Sequence, residues 1–338
     1  MNFMDIIWLV IPCYNEEEVI METASRLKKI INDLIARGKI SSKSKIAMVN
    51  DGSKDDTWQL IKKLNSSDEL FVGINLSRNR GHQNALLAGL MTAKQYADAI
   101  ISLDADLQDD VNAIERFIDE YHNGNDIVYG VRSSRKTDTV FKRFTAESFY
   151  KLMKILGVDI VFNHADYRLM SKRAVDALEQ YDEVNVFLRG IVPQIGYNSS
   201  IVEYERAERF AGESKYPLKK MLSFAMEGIS SFSIKPIRII SNIGLSIFLI
   251  SIIMLIYFFV RFCTGHTVAG WASTVVSIWA LGGLQLLAIG VIGEYIGKTY
   301  LETKKRPKFI IESVLLSDSK QETKSHELSD NLGSELVG

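Results

Sequence analysis

The 338-residue chain has little of what staples or metallates small folds. Its two cysteines, Cys13 and Cys263, exclude a disulfide-rich scaffold, and neither has a neighbour at metal-ligand spacing. The five histidines, at 82, 122, 164, 266 and 326, form no HxxH or HExxH pattern, so a zinc site is not expected. Neither sign of charge is in excess. The 40 Lys+Arg against 41 Asp+Glu leave a net charge of -1, which argues against a general nucleic-acid binder. The first fifteen residues lack a basic segment, and the apolar run Ile6–Ile11 is too short for a signal peptide, so a first strand is expected there. No repeat of 20 to 50 residues is present.

One further absence is local. The 59 residues from Ile239 to Gly297 hold only two charged side chains, Arg261 and Glu294. Uncharged runs at 239–260 and 270–293 predict two transmembrane helices within 237–297, since 22 residues at about 1.5 Å each span roughly 33 Å, against a hydrocarbon core of about 30 Å. Lys235, Arg238, Lys298, Lys304, Lys305, Arg306 and Lys308 flank the pair, while its connecting loop has Arg261 alone. That asymmetry predicts a multi-pass protein of the cell membrane with both termini cytoplasmic. In 216–236, Leu218, Met221, Leu222, Ala225, Ile229 and Phe232 recur at helical spacing beside Lys215, Lys219 and Lys220, as expected of an amphipathic helix on the membrane surface or packed in a core. Ala269, Ser273 and Ser277, and Gly293 with Gly297, suit close helix packing within the hairpin or between copies of a homo-oligomer. Residues 298–338 read as a basic segment followed, after Glu312, by a solvated acidic tail.

The remainder has an ordinary soluble composition. Short apolar runs at Ile6–Ile11, Lys45–Val49, Phe71–Leu76, Ala99–Leu103 and Asp126–Val131 alternate with helical periodicity, with further helices near 140–157 and 172–181 and a strand at 197–204. Alternation of this kind predicts an α/β domain over 1–215, with a Rossmann-like, mostly parallel sheet and a ligand beyond the carboxyl ends of its strands.

Four polar motifs fall at those strand ends: Pro12-Cys13-Tyr14-Asn15-Glu16, Asn50-Asp51-Gly52-Ser53, Arg78-Asn79-Arg80-Gly81-His82 and Asp104-Ala105-Asp106-Leu107-Gln108. Asp104 and Asp106, two apart, project to one side of an extended backbone and can converge on one cation. Hard oxygen ligands suit Mg2+ or Mn2+, whose shell substrate phosphates typically complete.

On these residues the chain resembles the inverting family-2 glycosyltransferases of GT-A fold, and within them the polyprenyl-phosphate glycosyltransferases similar to dolichyl-phosphate-mannose synthase. The matching stretches are VIPCYNEEE (10–18), VNDGSKDDT (49–57), LSRNRGHQNALLAG (76–89), SLDADLQDD (102–110), ADYRLMSKRAV (165–175), RGIVPQIG (189–196) and RAERFAGESKYPLKKM (206–221). The two C-terminal spans match the bacterial branch. The family pattern often has Pro where this chain has Asp110, which implies a different loop shape there.

The resemblance implies a nucleotide-diphosphate-sugar donor, UDP- or GDP-linked, and a membrane polyprenyl phosphate acceptor. Pro12, Tyr14, Glu16 and Asp51 would contact the nucleoside. Asp104 would sit by the ribose or metal, and Asp106 and Gln108 would bind the ion. Arg132 and Arg143 would hold the acceptor phosphate, with Arg209, Ser214 and Lys215 on a phosphate-contacting loop. Asp166 would be the candidate catalytic carboxylate, although pairing with Arg168 is an equally simple role for it. His82 is expected to serve its loop rather than act as a base.

A phosphate acceptor is largely ionised at pH 7, with a second pKa of about 6, so it needs little general-base help. Charge compensation and orientation should dominate. The expected reaction is transfer of one hexose from a UDP-sugar to undecaprenyl phosphate for a surface glycan, with GDP-mannose as the alternative donor. A processive polysaccharide synthase would carry a QxxRW-type motif and more spans. A silent nucleotide-sugar-binding scaffold need not keep Asp51, Asp104, Asp106, Asp166, Arg209 and Lys215 together.

Overall fold

A computed structural model describes residues 4–132, 164–184, 187–205, 235–264 and 271–316. Its first half alternates strand and helix: β1 (Ile7–Cys13), α1 (Ile20–Ala36), β2 (Lys45–Asn50), α2 (Thr57–Ser67), β3 (Phe71–Leu76), α3 (His82–Ala93), β4 (Ala99–Ser102), α4 (Ala113–His122) and β5 (Ile127–Arg132). Then come β6 (His164–Ser171), α5 (Lys172–Glu179), α6 (Leu188–Ile191) running into a 3-10 turn (Val192–Ile195), and β7 (Ser199–Tyr204). The long helices α7 (Lys235–Cys263) and α8 (Trp271–Thr303) precede a last strand, β8 (Ile311–Leu315).

The strands form one sheet in the order β7-β5-β6-β4-β1-β2-β3-β8. β4, β1, β2 and β3 pair in parallel, β5 with β7 likewise, and β6 and β8 run antiparallel to their neighbours. Every residue of β1 is buried, as expected of a strand covered on both faces. Ile7, Leu9, Ile11 and Cys13 point into one core with Leu27 and Ile31 of α1 and Phe117 of α4. Trp8 and Val10 point into the other, with Leu86 and Leu90 of α3 and Val175 of α5. Cys13 is a packing residue whose thiol burial pushes up, out of its reactive range.

The five expected strands through 131 are present within one or two residues, as are the helix after 172 and the strand ending at 204. Two elements differ from expectation. β6 occupies a motif whose polar residues conceal a strand: Asp166 to Met170 are all buried, Asp166 and Arg168 included. Residues 311–315, which straddle the expected start of the solvated tail after Glu312, form an edge strand on β3, where Phe309, Ile311, Val314 and Leu316 pack against the core. Those apolar residues, one basic segment beyond α8, outweigh the acidic composition that follows them.

Helical backbone runs through both predicted spans, 29 residues in α7 and 33 in α8. Among the described residues, no helix is long and apolar enough to cross a membrane. The helix near 140–157 and nearly all of the amphipathic segment 216–236 lie outside the described residues.

Helix α3 lies unusually close to the sheet. A Cβ on Gly89 would meet Val10 Cγ1 at 2.3 Å and Val49 Cγ2 at 2.8 Å. Gly89→Ala should therefore lower stability by about 1–3 kcal/mol, as overpacking does, seen as a reduced unfolding midpoint.

Candidate active site

The carboxyl ends of β1, β2, β3 and β4 share one edge of the sheet, and their loops are laced together there. After β1, Asn15 adopts a left-handed backbone, φ 53°. Its N–H donates to Ser53 Oγ at 3.0 Å, and Lys54 N–H donates to Asn15 Oδ1 at 2.9 Å. Glu16 N–H donates to Thr57 Oγ1 at 2.9 Å. Pro12 is buried at the end of β1, while Tyr14 is 38% exposed on the rim.

Asp51, expected at the nucleoside, is buried and accepts from Arg80 N–H at 2.6 Å and Gly81 N–H at 2.9 Å. Burial pushes its carboxyl up, and these two bonds hold the charged form against that penalty. Both carboxylate oxygens thus shape the turn into α3. Gly52 presses on the same turn: at φ +62° a Cβ would lie 2.4 Å from Asn79 N. The Asp51 side chain thus supports the loop that faces the site.

Beyond β4 the chain turns through Asp104-Ala105-Asp106-Leu107-Gln108, with Leu107 at φ 56°, a conformation costly for a bulky residue and characteristic of functional loops. Thr23 Oγ1 on α1 donates to Ala105 O at 2.8 Å and fixes the turn from below. Asp106 Oδ1 accepts from Gln108 N–H at 3.2 Å, and the Gln108 side chain is buried. Asp104 keeps 38% of its side chain open. Burial, opposed by His82 and reinforced by Asp109, Asp166 and Asp106, pushes its carboxyl up to about 6. Among the described residues no group of three His, Cys, Asp or Glu side chains could hold a metal by itself.

β6 supplies the opposite wall. Because it is antiparallel to β4, with Ser102 opposite Arg168, its amino-terminal residues reach the carboxyl end of β4. Ser102 Oγ donates to Asp166 O at 2.6 Å. Asp166 accepts from Arg168 at 2.7 Å, from Arg189 Nε and Nη2 at 3.1 and 3.0 Å, and from Gln83 Nε2 at 3.3 Å. Burial alone would raise its carboxyl, but Arg189 and Arg168 outweigh burial and hold it well below the usual range. An acid so fully paired is a poor proton acceptor, and the pairing with Arg168 offered by the sequence is present.

His82 belongs to this site rather than only to its loop, with Nε2 3.5 Å from Asp104 Oδ1 and 3.8 Å from Asp166 Oδ2. Its position in Arg78-Asn79-Arg80-Gly81-His82 was the available signal. Arg189 and Gln83 also went unassigned, although both lie in stretches that carry the family resemblance. Gln83 Oε1 accepts from Leu188 N–H at 3.2 Å, which ties α3 to α6 behind Asp166.

Arg132, expected at the acceptor phosphate, ends β5 with Nη2 3.5 Å from Asp109 Oδ1. Tyr204 Oη donates to the same oxygen at 2.6 Å. Burial works against the Arg132 charge, but Tyr204 and Asp109 outweigh it and keep the guanidinium protonated. Arg132 thus stands beside the acidic loop that follows Asp104. Arg143, Arg209, Ser214 and Lys215 lie outside the described residues.

Arg168 is 2% exposed and depends on Asp166 for compensation. Asp166→Ala should therefore destabilise the fold by about 3–5 kcal/mol by stranding a buried guanidinium, measurable by chemical denaturation alongside activity. An unchanged midpoint would show that the pair is not structural.

Residues 8–179 match the profile described as Glycosyl transferase family 2. The uncharacterized glycosyltransferase YkoT of Bacillus subtilis is 54% identical over 313 residues, 93% of each chain. A prophage bactoprenol glucosyl transferase homolog of Escherichia coli is 43% identical, covering 90% of this chain and 98% of its own. The bactoprenol glucosyl transferase of Shigella phage SfX is 42% identical with the same coverage. Carboxylates at the ends of parallel strands, a loop-bound Asp-Ala-Asp and these matches over nine-tenths of its length together assign the chain to glycosyl transferase family 2.

Proposed function

We propose that this glycosyltransferase moves a single glucose from UDP-glucose to the phosphate of a polyprenyl lipid, at the cytoplasmic face of the cell membrane, for modification of a surface glycan. The observation that carries the reading is the meeting of Asp104, itself beside Asp106, with His82 and the arginine-clamped Asp166 at the carboxyl edge of the sheet. Relatives named for bactoprenol glucosyl transfer, 42–43% identical over nearly their whole length, support the acceptor and the sugar.

In this reading the laced loops of Asn15 and Ser53 seat the nucleoside, with Tyr14 on the rim. Arg189, bidentate on Asp166, is aimed by that pair rather than left mobile, and a preorganised guanidinium suits a phosphate oxygen. His82 is placed between two carboxylates, where it is steered by charge on both sides. Arg132, Arg143, Arg209, Ser214 and Lys215 are retained as the cationic and polar side facing the acceptor phosphate.

Asp104 and Asp106 fit a divalent ion, Mg2+ or Mn2+, because such ions are held by one or two carboxylates together with substrate phosphates and need no all-protein cage. When bound, the ion would neutralise charge on the departing diphosphate.

The membrane part rests on α7 and α8, which at about 1.5 Å per residue are roughly 43 and 50 Å long. They expose Ile253 (65%), Leu286 (72%) and Ile289 (64%). Such surface is costly in water, at about 25 cal/mol per Å2, and natural in lipid. Gly290, Gly293 and Gly297, with nothing within 4 Å of their missing Cβ atoms, leave room for a second copy.

Purified chain with Mg2+ or Mn2+ should transfer labelled glucose from UDP-glucose to undecaprenyl phosphate. Use of GDP-mannose alone in a donor panel, or formation of a polymer, would overturn the assignment, and activity that survives complete chelation would remove the metal. Asp106→Ala should reduce turnover by more than about a hundredfold, in line with loss of charge stabilisation at a transferring phosphate.

A further inference from the structure

The edge strand β8 reaches the donor loops through a directed chain of side-chain hydrogen bonds. Its pairing with β3 is irregular: Asn75 lies opposite Ser313 but Leu76 opposite Ile311, so Glu312 is the extra residue of a β-bulge. Bulges re-aim side chains. Here the bulge puts Glu312 Oε2 where Asn75 Nδ2 donates to it at 2.7 Å. Asn75 Oδ1 accepts from Asn50 Nδ2 at 2.7 Å, and Asn50 Oδ1 accepts from Ser53 N–H at 3.2 Å. Ser53 Oγ in turn accepts from Asn15 N–H at 3.0 Å, closing the latch between the first two loops. Asn75 and Asn50 are 8% and 3% exposed, so water cannot readily substitute for a lost partner.

The chain has a polarity that one residue dictates. An ionised carboxylate only accepts, so Glu312 obliges Asn75 to turn its amide nitrogen outward and its oxygen toward Asn50. Asn50 must then offer its nitrogen to Asn75, which leaves its oxygen for Ser53 N–H. A donor in place of Glu312 would invert both amides and set the Asn50 nitrogen against the Ser53 N–H.

We infer that Glu312 is a positioning residue for the donor site: acting through Asn75 and Asn50, it orders the Asn15–Ser53 loops that would receive the nucleoside diphosphate. The inference rests on the reading of those loops as the donor seat. It makes residues that follow α7 and α8 part of the machinery at the head of the sheet.

The test uses full-length protein, with hydrogen exchange read over residues 13–17 and 52–57 and UDP affinity measured by titration calorimetry. Glu312→Gln, which can still accept, should stay within about twofold of wild type. Glu312→Lys should speed exchange in both loops and weaken UDP binding roughly tenfold, the scale of one or two buried hydrogen bonds. Adding Asn75→Asp to Glu312→Lys should restore both, because the introduced carboxylate accepts from the lysine and from Asn50 alike. Unchanged loop exchange in Glu312→Lys, or a double variant no better than the single one, would overturn the inference and reduce Glu312 to strand docking. Wild-type protein that binds neither UDP nor GDP would instead defeat the donor reading, while the exchange measurements would still decide the relay.

Discussion

Like charge crowded at one edge of a sheet is the constraint on which the rest of this site depends. Asp51, Asp104, Asp106, Asp109 and Asp166 all lie at or beside the carboxyl ends of the central strands. Two such charges 4 Å apart repel by about 4 kcal/mol at an effective dielectric of about 20, so each must be compensated or must invite a cation. The compensation is uneven. Asp51 takes two backbone N–H groups, Asp109 takes Tyr204 and Arg132, and Asp166 takes two arginines. Asp104 has His82 nearby and is itself pushed up by burial and by Asp109, Asp166 and Asp106.

The central strands and their polar ends were legible because burial on both faces demands continuous apolar runs, and a run that stops at Asn50 or Asp104 announces a loop. β6 was illegible for the converse reason. Asp166 and Arg168 look like surface residues until each is seen to neutralise the other, and only the fold reveals that the pair is affordable in the interior. Asp166 could be placed near the chemistry by family resemblance, yet its Arg189 partner could not, since residues 23 apart in sequence meet only when α6 packs beside β6. His82 was visible as a polar strand-end residue; its distance to two carboxylates was not. The strand at 311–315 escaped because five residues of modest hydrophobicity, cut off from the domain by two long apolar helices, carry no local signal of where they pair.

The antiparallel insertion of β6 between β4 and β5 has its own logic. A parallel strand at that position would bring its carboxyl end to the site and leave Asp166 at the far edge of the sheet. Reversal puts the start of the strand beside Asp104 and lets Ser102 bind the Asp166 carbonyl directly. The wall opposite the acidic loop is thus made from the first residues of a strand, whose cationic partners Arg168 and Arg189 come from within the strand and from α6.

β8 closes the sheet on β3 after α7 and α8 have intervened, and this return is a statement about parity. A chain that leaves one sheet at Tyr204 and rejoins it at Ile311 has both points on the same side of any barrier it meets between them. Whatever the intervening 106 residues do, they can traverse a bilayer an even number of times and no other.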